Sequence, residues 1–165
     1  MKTISSDAPN HSPIPPLQNR IYQSHNTTPA EILSISHRMF VFSPQIVLTH
    51  QVPQPSLYTL SLFQKRLKEL TSENQRFVMI VNSAGTRKPD NEYRKALVKW
   101  LKILEGRLIH ACVVTGGSRV LNASAKIILQ IVGVQNATFL HTLDEAIEIA
   151  IDYRDADIHQ NRKLA

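Results

Sequence analysis

The chain has 165 residues, of which 42% are hydrophobic and 19% are charged, so it can bury one domain-sized core and is not disordered throughout. Lysine and arginine number 19 against 13 aspartates and glutamates, which gives a formal net charge of +6. No stretch approaches the roughly 18 consecutive apolar residues of a membrane span, and the single cysteine, Cys112, excludes an internal disulfide or a cysteine-rich zinc site.

The first 35 residues differ in composition from the rest of the chain. They contain five of the nine prolines, are rich in serine, threonine and asparagine, and show neither strand nor helix periodicity. Such a segment buries too little apolar surface to offset the entropy of ordering it. Residues 1–35 are therefore predicted to be a disordered leader. Because 3–19 lack the apolar block of a secretory signal, a cytoplasmic location is expected.

The chain then alternates between candidate strands and helices. Residues 39–42 and 46–50 are short apolar or β-branched runs, typical of a bent strand or a hairpin arm. Residues 57–72 carry leucine and phenylalanine at spacings of three and four, which predicts a helix. The continuous apolar run 77–81 indicates a strand covered on both faces, as in a parallel sheet.

The second half of the chain continues the alternation. Asp90 is a suitable N-cap for a helix that ends near Gly106, and residues 108–114 predict the next strand. A turn at 116–118 leads into a third helix, whose predicted buried side consists of Val120, Leu121, Ala125, Ile128 and Val132. A strand at 137–140 precedes the last helix, which begins with a Thr142/Glu145 capping box.

Strict alternation of this kind predicts an α/β fold with a mostly parallel sheet of four to five strands and four helices. Right-handed crossovers would place helices on both faces of the sheet. The domain is expected to span residues 36–155. Residues 156–165 are polar and are predicted to be a frayed tail.

The stretch from Phe77 to Tyr153 resembles the STAS-like superfamily, the layered sandwich of bacterial anti-sigma-factor antagonists and SEC14-like relatives. The resemblance rests on four features in order: the 77–81 strand, the loop and helix from Asp90, the 109–115 strand running into the 116–119 turn, and the segment 137–146. It implies a non-enzymatic protein-interaction domain in bacterial signalling or regulation, with a regulatory serine or threonine after the central strand.

In this chain the corresponding loop has the sequence Asn-Ser-Ala-Gly-Thr at 82–86. Ser83 and Thr86 are the candidate phospho-acceptors that the resemblance implies, although the usual preceding aspartate is absent and the spacing differs. A phosphate there would add about −1.5 to −2 charges and change the affinity for a charged partner. The simpler interpretation, which we favour, is a solvated loop that helps to start the next helix.

The turn after the 108–114 strand is the strongest candidate for an anion or ligand contact. It lies where a predicted strand ends and a helix begins, so backbone N–H groups carry partial positive charge there. The residues concerned are Gly116, Gly117, Ser118 and Arg119. No complete phosphate-loop or dinucleotide motif is present, and an ordinary turn with a glycine at positive φ explains the same pattern.

Residues 64–107 contain eleven lysines and arginines against five acidic residues. The basic residues that follow the central strand, Arg87, Lys88, Arg94 and Lys95, form a candidate surface for a protein partner, and their charge would favour an acidic one. Because no exposed aromatic residues are predicted among these charges, nucleic-acid binding is disfavoured.

No catalytic or metal-ligating pattern is recognisable. The seven histidines are scattered without metal-binding spacing, and Cys112 lies inside an apolar run where a thiol is a poor nucleophile. We therefore expect a non-enzymatic domain without metal or cofactor that binds a protein partner; its oligomeric state is left open. The alternative is a flavodoxin-like domain that binds a nucleotide, a phosphate or a lipid. Lipid binding would require an apolar pocket, which periodicity cannot reveal.

Overall fold

The computed structural model describes residues 16–133 and 136–164. Within these ranges the chain forms five strands and five helices: α1 (Pro29–His37), β1 (Met39–Ser43), β2 (Ile46–His50), α2 (Leu57–Leu70), β3 (Phe77–Asn82), α3 (Asn91–Leu104), β4 (Leu108–Val114), α4 (Arg119–Val132), β5 (Ala137–Leu140) and α5 (Leu143–Leu164). Among the described residues, no helix has both the length and the apolar character of a membrane span.

The strands form one mixed sheet in which they follow one another in chain order, β1 to β5. β1 and β2 are an antiparallel hairpin, whereas β2, β3, β4 and β5 are parallel. The predicted α/β class with a mostly parallel sheet is therefore confirmed, and the open choice at 39–50 is decided in favour of a hairpin. Of the five helices, α1 was not predicted.

The helices are distributed unequally over the two faces of the sheet. α1, α2, α3 and α4 pack side by side in that order, while α5 contacts the middle strands. Met79 packs with Phe63 of α2, whereas Ile80, its neighbour in β3, packs with Ala146 and Ala150 of α5. Right-handed crossovers between strands that follow in order all lie on one face, so the expectation that they would place helices on both faces is wrong. Among the described helices, only α5, which follows the last strand, covers the other face.

Side-chain caps set the starts of the helices. Ser56, Asp90 and Ser118 each accept a hydrogen bond from the backbone N–H three residues later. The predicted capping box of α5 is present: the N–H of Glu145 donates to Thr142 Oγ1, and the N–H of Thr142 donates to Glu145 Oε2. Polar residues in these positions satisfy N–H groups that have no partner within the helix.

The described part of the N-terminal segment, 16–35, is packed against the domain and does not behave as the predicted disordered leader. Tyr22 is fully buried among core residues, and its carbonyl accepts a 2.7 Å hydrogen bond from Ser56 Oγ. α1 begins with a complete capping box formed by Thr28 and Glu31. Residues 1–15 lie outside the described residues. The prediction from composition is wrong for this stretch, because the burial of one tyrosine and the capping of one helix are enough to order a proline-rich segment.

The C-terminal residues also differ from the prediction. α5 continues through residues 156–164, where a frayed tail was expected. Asp157 is only 5% exposed, and its carboxylate forms an ion pair with Arg76 and accepts a hydrogen bond from Asn161 Nδ2. These partners neutralise a carboxylate that, judged from sequence, belongs in solvent.

The predicted buried side of α4 is correct in part. Leu121 and Ile128 are buried and Ala125 is half-buried, but Val120 is 55% exposed. The side chain of Val132 lies outside the described residues. Val120 lies in the first turn, where the helix has just left the sheet edge, and its side chain projects away from the layer.

Candidate functional site

An apolar cavity of about 120 Å³ lies between the sheet and the helices α2, α3 and α4. Its floor comes from the strand residues that point towards these helices, and its roof comes from the inner faces of the helices. The apolar lining residues are Met39, Phe63, Met79, Val81, Leu97, Trp100, Leu101, Leu108, Ala111, Val113, Leu121, Ala125 and Leu129. An apolar cavity of roughly 150 Å³ is large enough to bind benzene, so this space is of the size of a small ligand.

The polar side chains of the lining are concentrated where the parallel strands end. Thr49 and Gln51 are at the end of β2, Ser83 follows β3, and Thr115 follows β4. The carboxyl ends of parallel strands meet at one edge of a sheet, and ligands of open α/β sheets bind outside that edge. The cavity therefore has an apolar body and one polar end.

Two oxygen atoms at this polar end are buried without a hydrogen-bond partner among the described residues. Thr49, which is 2% exposed, leaves its Oγ1 unpaired, and the Oε1 atom of Gln51 is likewise unpaired. The other atom of the same amide, Gln51 Nε2, donates to Tyr93 Oη at 3.5 Å. Most buried polar atoms in proteins are hydrogen-bonded, so this end of the cavity has unused hydrogen-bonding capacity.

The cavity is electrically neutral. None of its lining residues is Asp, Glu, Lys, Arg or His. Burial raises the pKa of Tyr93 to about 12, so its hydroxyl stays protonated at neutral pH. Because an ion without a partner is costly to bury, the lining selects for uncharged molecules.

Both predicted phospho-acceptors lie at the cavity. Ser83 and Thr86 are half-buried lining residues. The N–H of Ser83 donates to the carbonyl of Val114, and the N–H of Thr86 donates to the carbonyl of Ser83, which makes a short turn between β3 and α3. Pro55 and Pro89 line the cavity beside them. A substituent on either hydroxyl would alter the rim of the cavity.

The predicted anion-binding turn is adjacent to this rim. Gly116 and Gly117 have φ values of 61° and 80°, a region that favours glycine. A Cβ on Gly116 would lie 3.2 Å from the Cβ of Ala84, and a Cβ on Gly117 would lie 3.3 Å from Nδ1 of His141. The structure thus brings together the loops after β3, β4 and β5, and two glycines permit that approach.

Ser118 and Arg119 have different environments within this turn. Ser118 is the N-cap of α4, and its hydroxyl accepts the N–H of Leu121 at 3.3 Å. Arg119 is exposed. The hydroxyl of Ser118 is therefore already used for capping. Anion binding at Gly116, Gly117, Ser118 and Arg119 stays a prediction.

The four basic residues of the predicted partner surface do not form a uniform patch. Arg87, Lys88 and Lys95 are exposed, whereas Arg94 is half-buried. The Arg94 guanidinium donates to Asn91 Oδ1, and its Nε is buried without a partner. Three of the four are thus open to a partner.

Cys112 and His110 are structural residues of β4. Cys112 is fully buried, and burial raises the pKa of its thiol to about 12, which suppresses the thiolate. His110 is stacked on Tyr153 with the ring centroids 3.6 Å apart, and its Nε2 lies 2.9 Å from Thr138 Oγ1. Both residues belong to the α5 side of the sheet, away from the cavity.

Sequence reasoning missed Thr49, Gln51 and Tyr93 as site residues. Tyr93 and Trp100 lie on the inner face of α3, and that face lines a cavity instead of a filled core. One signal was visible: Thr49 is a hydroxyl residue within an otherwise apolar strand run. Its environment depends on α2 and α3, which the local pattern does not position.

Comparison with protein-family models and with curated proteins finds no match for this chain.

Proposed function

We propose that this chain is a non-enzymatic, STAS-like α/β domain of the cytoplasm that binds a small, largely apolar molecule in the cavity between its sheet and helices. The observation that carries the proposal is the cavity itself, which has an apolar body and a polar end at the carboxyl edge of the sheet. Ligand sites in proteins have this composition: mostly apolar walls with a few convergent polar groups.

The STAS-like part of the proposal is supported by the order of elements. The strand β3, the loop and helix α3, the strand β4 with its glycine turn, and the strand β5 with the capped helix α5 occur in the order on which the resemblance rests. A SEC14-like relative that binds a lipid or another hydrophobic ligand would need a pocket of this kind.

The ligand-binding proposal is tested with toluene as an apolar probe. Toluene should protect the protein against unfolding, because a ligand at 100 times its dissociation constant adds about 2.7 kcal/mol to the free energy of unfolding. Ala125→Leu adds methyl groups to the cavity wall and should weaken toluene binding at least tenfold. The matched control is Ala123→Leu, an exposed position on the same helix, which should leave binding unchanged.

Calorimetric titration and thermal unfolding measure both effects. If neither toluene nor its hydroxyl analogue phenol binds or shifts the unfolding temperature, the cavity is not a ligand site and the proposal fails. Equal binding by both leucine variants would place the probe elsewhere on the protein.

A second candidate function is binding of an acidic protein partner in bacterial signalling, which the exposed face of α4 favours. Val120, Ile127 and Ile131 are 55%, 50% and 57% exposed. Their spacings of seven and four residues place them along one stripe. The charged residues of α4 are Arg119 and Lys126, so the helix is basic as well as apolar. The surface residues Arg87, Lys88 and Lys95 add positive charge near the start of α3, the helix packed beside α4.

This candidate predicts that the immobilised protein retains an acidic partner that high salt releases, because exposed charge pairs are screened. Ile127→Asp should abolish retention. Leu33→Asp, an equally exposed apolar position on α1 at the other end of the helical layer, should leave it intact. Retention of the same proteins by both variants would rule out α4 as the partner surface.

A further inference from the structure

The polar end of the cavity narrows the class of ligand, and this inference rests on the proposed ligand-binding function. We propose that the ligand is an uncharged molecule with a hydroxyl group, and that this hydroxyl binds between Thr49 and Gln51 while the apolar remainder fills the space under α3 and α4.

The first argument is the unpaired oxygen of Thr49. This residue is 98% buried and faces the cavity, and within 16–133 and 136–164 its Oγ1 has no hydrogen-bond partner. A buried hydroxyl without a partner is costly to the fold. Its cross-strand neighbours on the same face, Met39 of β1 and Val81 of β3, have apolar side chains. A group inside the cavity would therefore supply the missing partner.

The second argument is the amide of Gln51. One of its two polar atoms faces the hydroxyl of Tyr93 at 3.5 Å, and the other is buried without a partner. If the oxygen and nitrogen of the amide were exchanged, one polar atom would still lack a partner, because only one of the two can face Tyr93. A ligand hydroxyl suits either arrangement, since it both donates and accepts a hydrogen bond.

The third argument excludes charged head groups. A carboxylate or phosphate at this end would meet the neutral groups of Thr49, Gln51 and Tyr93, and the lining contains no lysine, arginine or histidine. An ammonium group would likewise meet no carboxylate. Burying either ion without a counter-charge is strongly unfavourable, whereas a hydroxyl loses little because its hydrogen bonds to water are replaced.

Size sets the remaining constraint. The cavity measures about 120 Å³, somewhat below the roughly 150 Å³ that accommodates benzene in an apolar protein interior. The buried part of the ligand is therefore comparable to one aromatic ring or a short alkyl chain. Any larger part has to extend out of the cavity.

The test compares phenol, toluene and benzoate, which share a ring and differ in one substituent. We expect phenol to bind at least tenfold more tightly than toluene, and benzoate to bind at least tenfold more weakly than phenol. Titration calorimetry at pH 7 gives the three dissociation constants, and chemical-shift changes of the Thr49 and Gln51 resonances locate the bound ring.

Thr49→Val is the decisive variant because valine has the shape of threonine without the hydroxyl. It should reduce the preference for phenol over toluene to threefold or less and leave toluene binding equal or tighter. Thr138→Val, which removes a hydroxyl from the opposite face of the sheet, should leave the preference unchanged. A variant that merely disturbed the fold would weaken both probes together.

The outcomes separate the two proposals. Equal affinities for phenol and toluene in the wild type, or a preference that survives Thr49→Val, would overturn the hydroxyl assignment and leave the cavity as an apolar site. Benzoate binding as tight as that of phenol would overturn the requirement for an uncharged ligand. Binding of none of the three probes would overturn both this inference and the proposed function.

Discussion

His110 shows how a single side chain links the stability of this fold to pH. It is 2% exposed, lies between Tyr153 and Thr138, and its Nδ1 has no hydrogen-bond partner in the part of the chain that the structure describes. Burial disfavours the imidazolium and lowers the pKa of His110 from its ordinary 6.5 to about 4. The folded protein therefore contains the neutral ring, whereas the unfolded chain takes up a proton below pH 6.5.

The pH dependence follows from that difference. Where the unfolded state binds more protons, stability rises with pH, so the contribution of His110 is fully present above pH 6.5 and is lost as pH falls towards 4. The loss is on the order of 3 kcal/mol at its largest. Urea unfolding at pH 7.5 and pH 4.5 measures it.

His110→Gln supplies the comparison, because glutamine does not titrate and its amide can still bond to Thr138. The variant should lose less stability than the wild type between the two pH values. Hydrogen bonds to backbone N–H groups lower the pKa values of Glu31 and Glu145. Their contributions to stability are lost at still lower pH in both proteins, so they cancel when the two proteins are compared. Identical pH profiles would show that His110 does not couple protonation to folding.

At the scale of single elements, the sequence predicted the helices and strands from β1 to the start of α5 well, and the segments 16–35 and 156–164 poorly. Helices α2 and α3 follow from apolar spacing and from a polar cap, which are local features. The segment 16–35 was predicted to be disordered, but its order depends on the burial of Tyr22 against α2 and other core residues. Those contacts come from distant parts of the chain. Residues 156–165 were predicted to fray, and the described part, 156–164, is helical instead. The ion-pair partner of Asp157, Arg76, is 81 residues away in the chain, so no local pattern reveals it.

The packed state of the N-terminal segment makes a direct prediction. Tyr22→Ala should lower the free energy of unfolding by about 3 to 5 kcal/mol, the usual cost of emptying a buried aromatic site. Its neighbour Ile21 is 51% exposed, so Ile21→Ala should change stability by only about 0.5 kcal/mol. Urea unfolding of the two variants checks both values. Equal urea midpoints for the two variants would show that Tyr22 does not anchor this segment and would support the predicted disordered leader.

At the scale of the whole molecule, the candidate site is assembled from distant parts of the chain. Thr49 comes from β2, Ser83 follows β3, Tyr93 belongs to α3 and Thr115 follows β4. The loops 82–86 and 116–119 each follow a predicted parallel strand, and the carboxyl ends of parallel strands meet at one edge of a sheet. It could not predict the cavity, because an apolar stripe looks the same whether it packs tightly or borders empty space.

The sequence by itself determined the α/β class, the parallel arrangement of β3 to β5 and most helix starts. These features depend on hydrophobic periodicity and on capping residues within a few positions of each other. Only the tertiary structure decided that four helices share one face, that 16–35 and 156–164 are packed, and that an uncharged cavity with two unpaired oxygens lies beneath α3. Each of these depends on how closely surfaces from remote segments fit, and local pattern does not encode that fit.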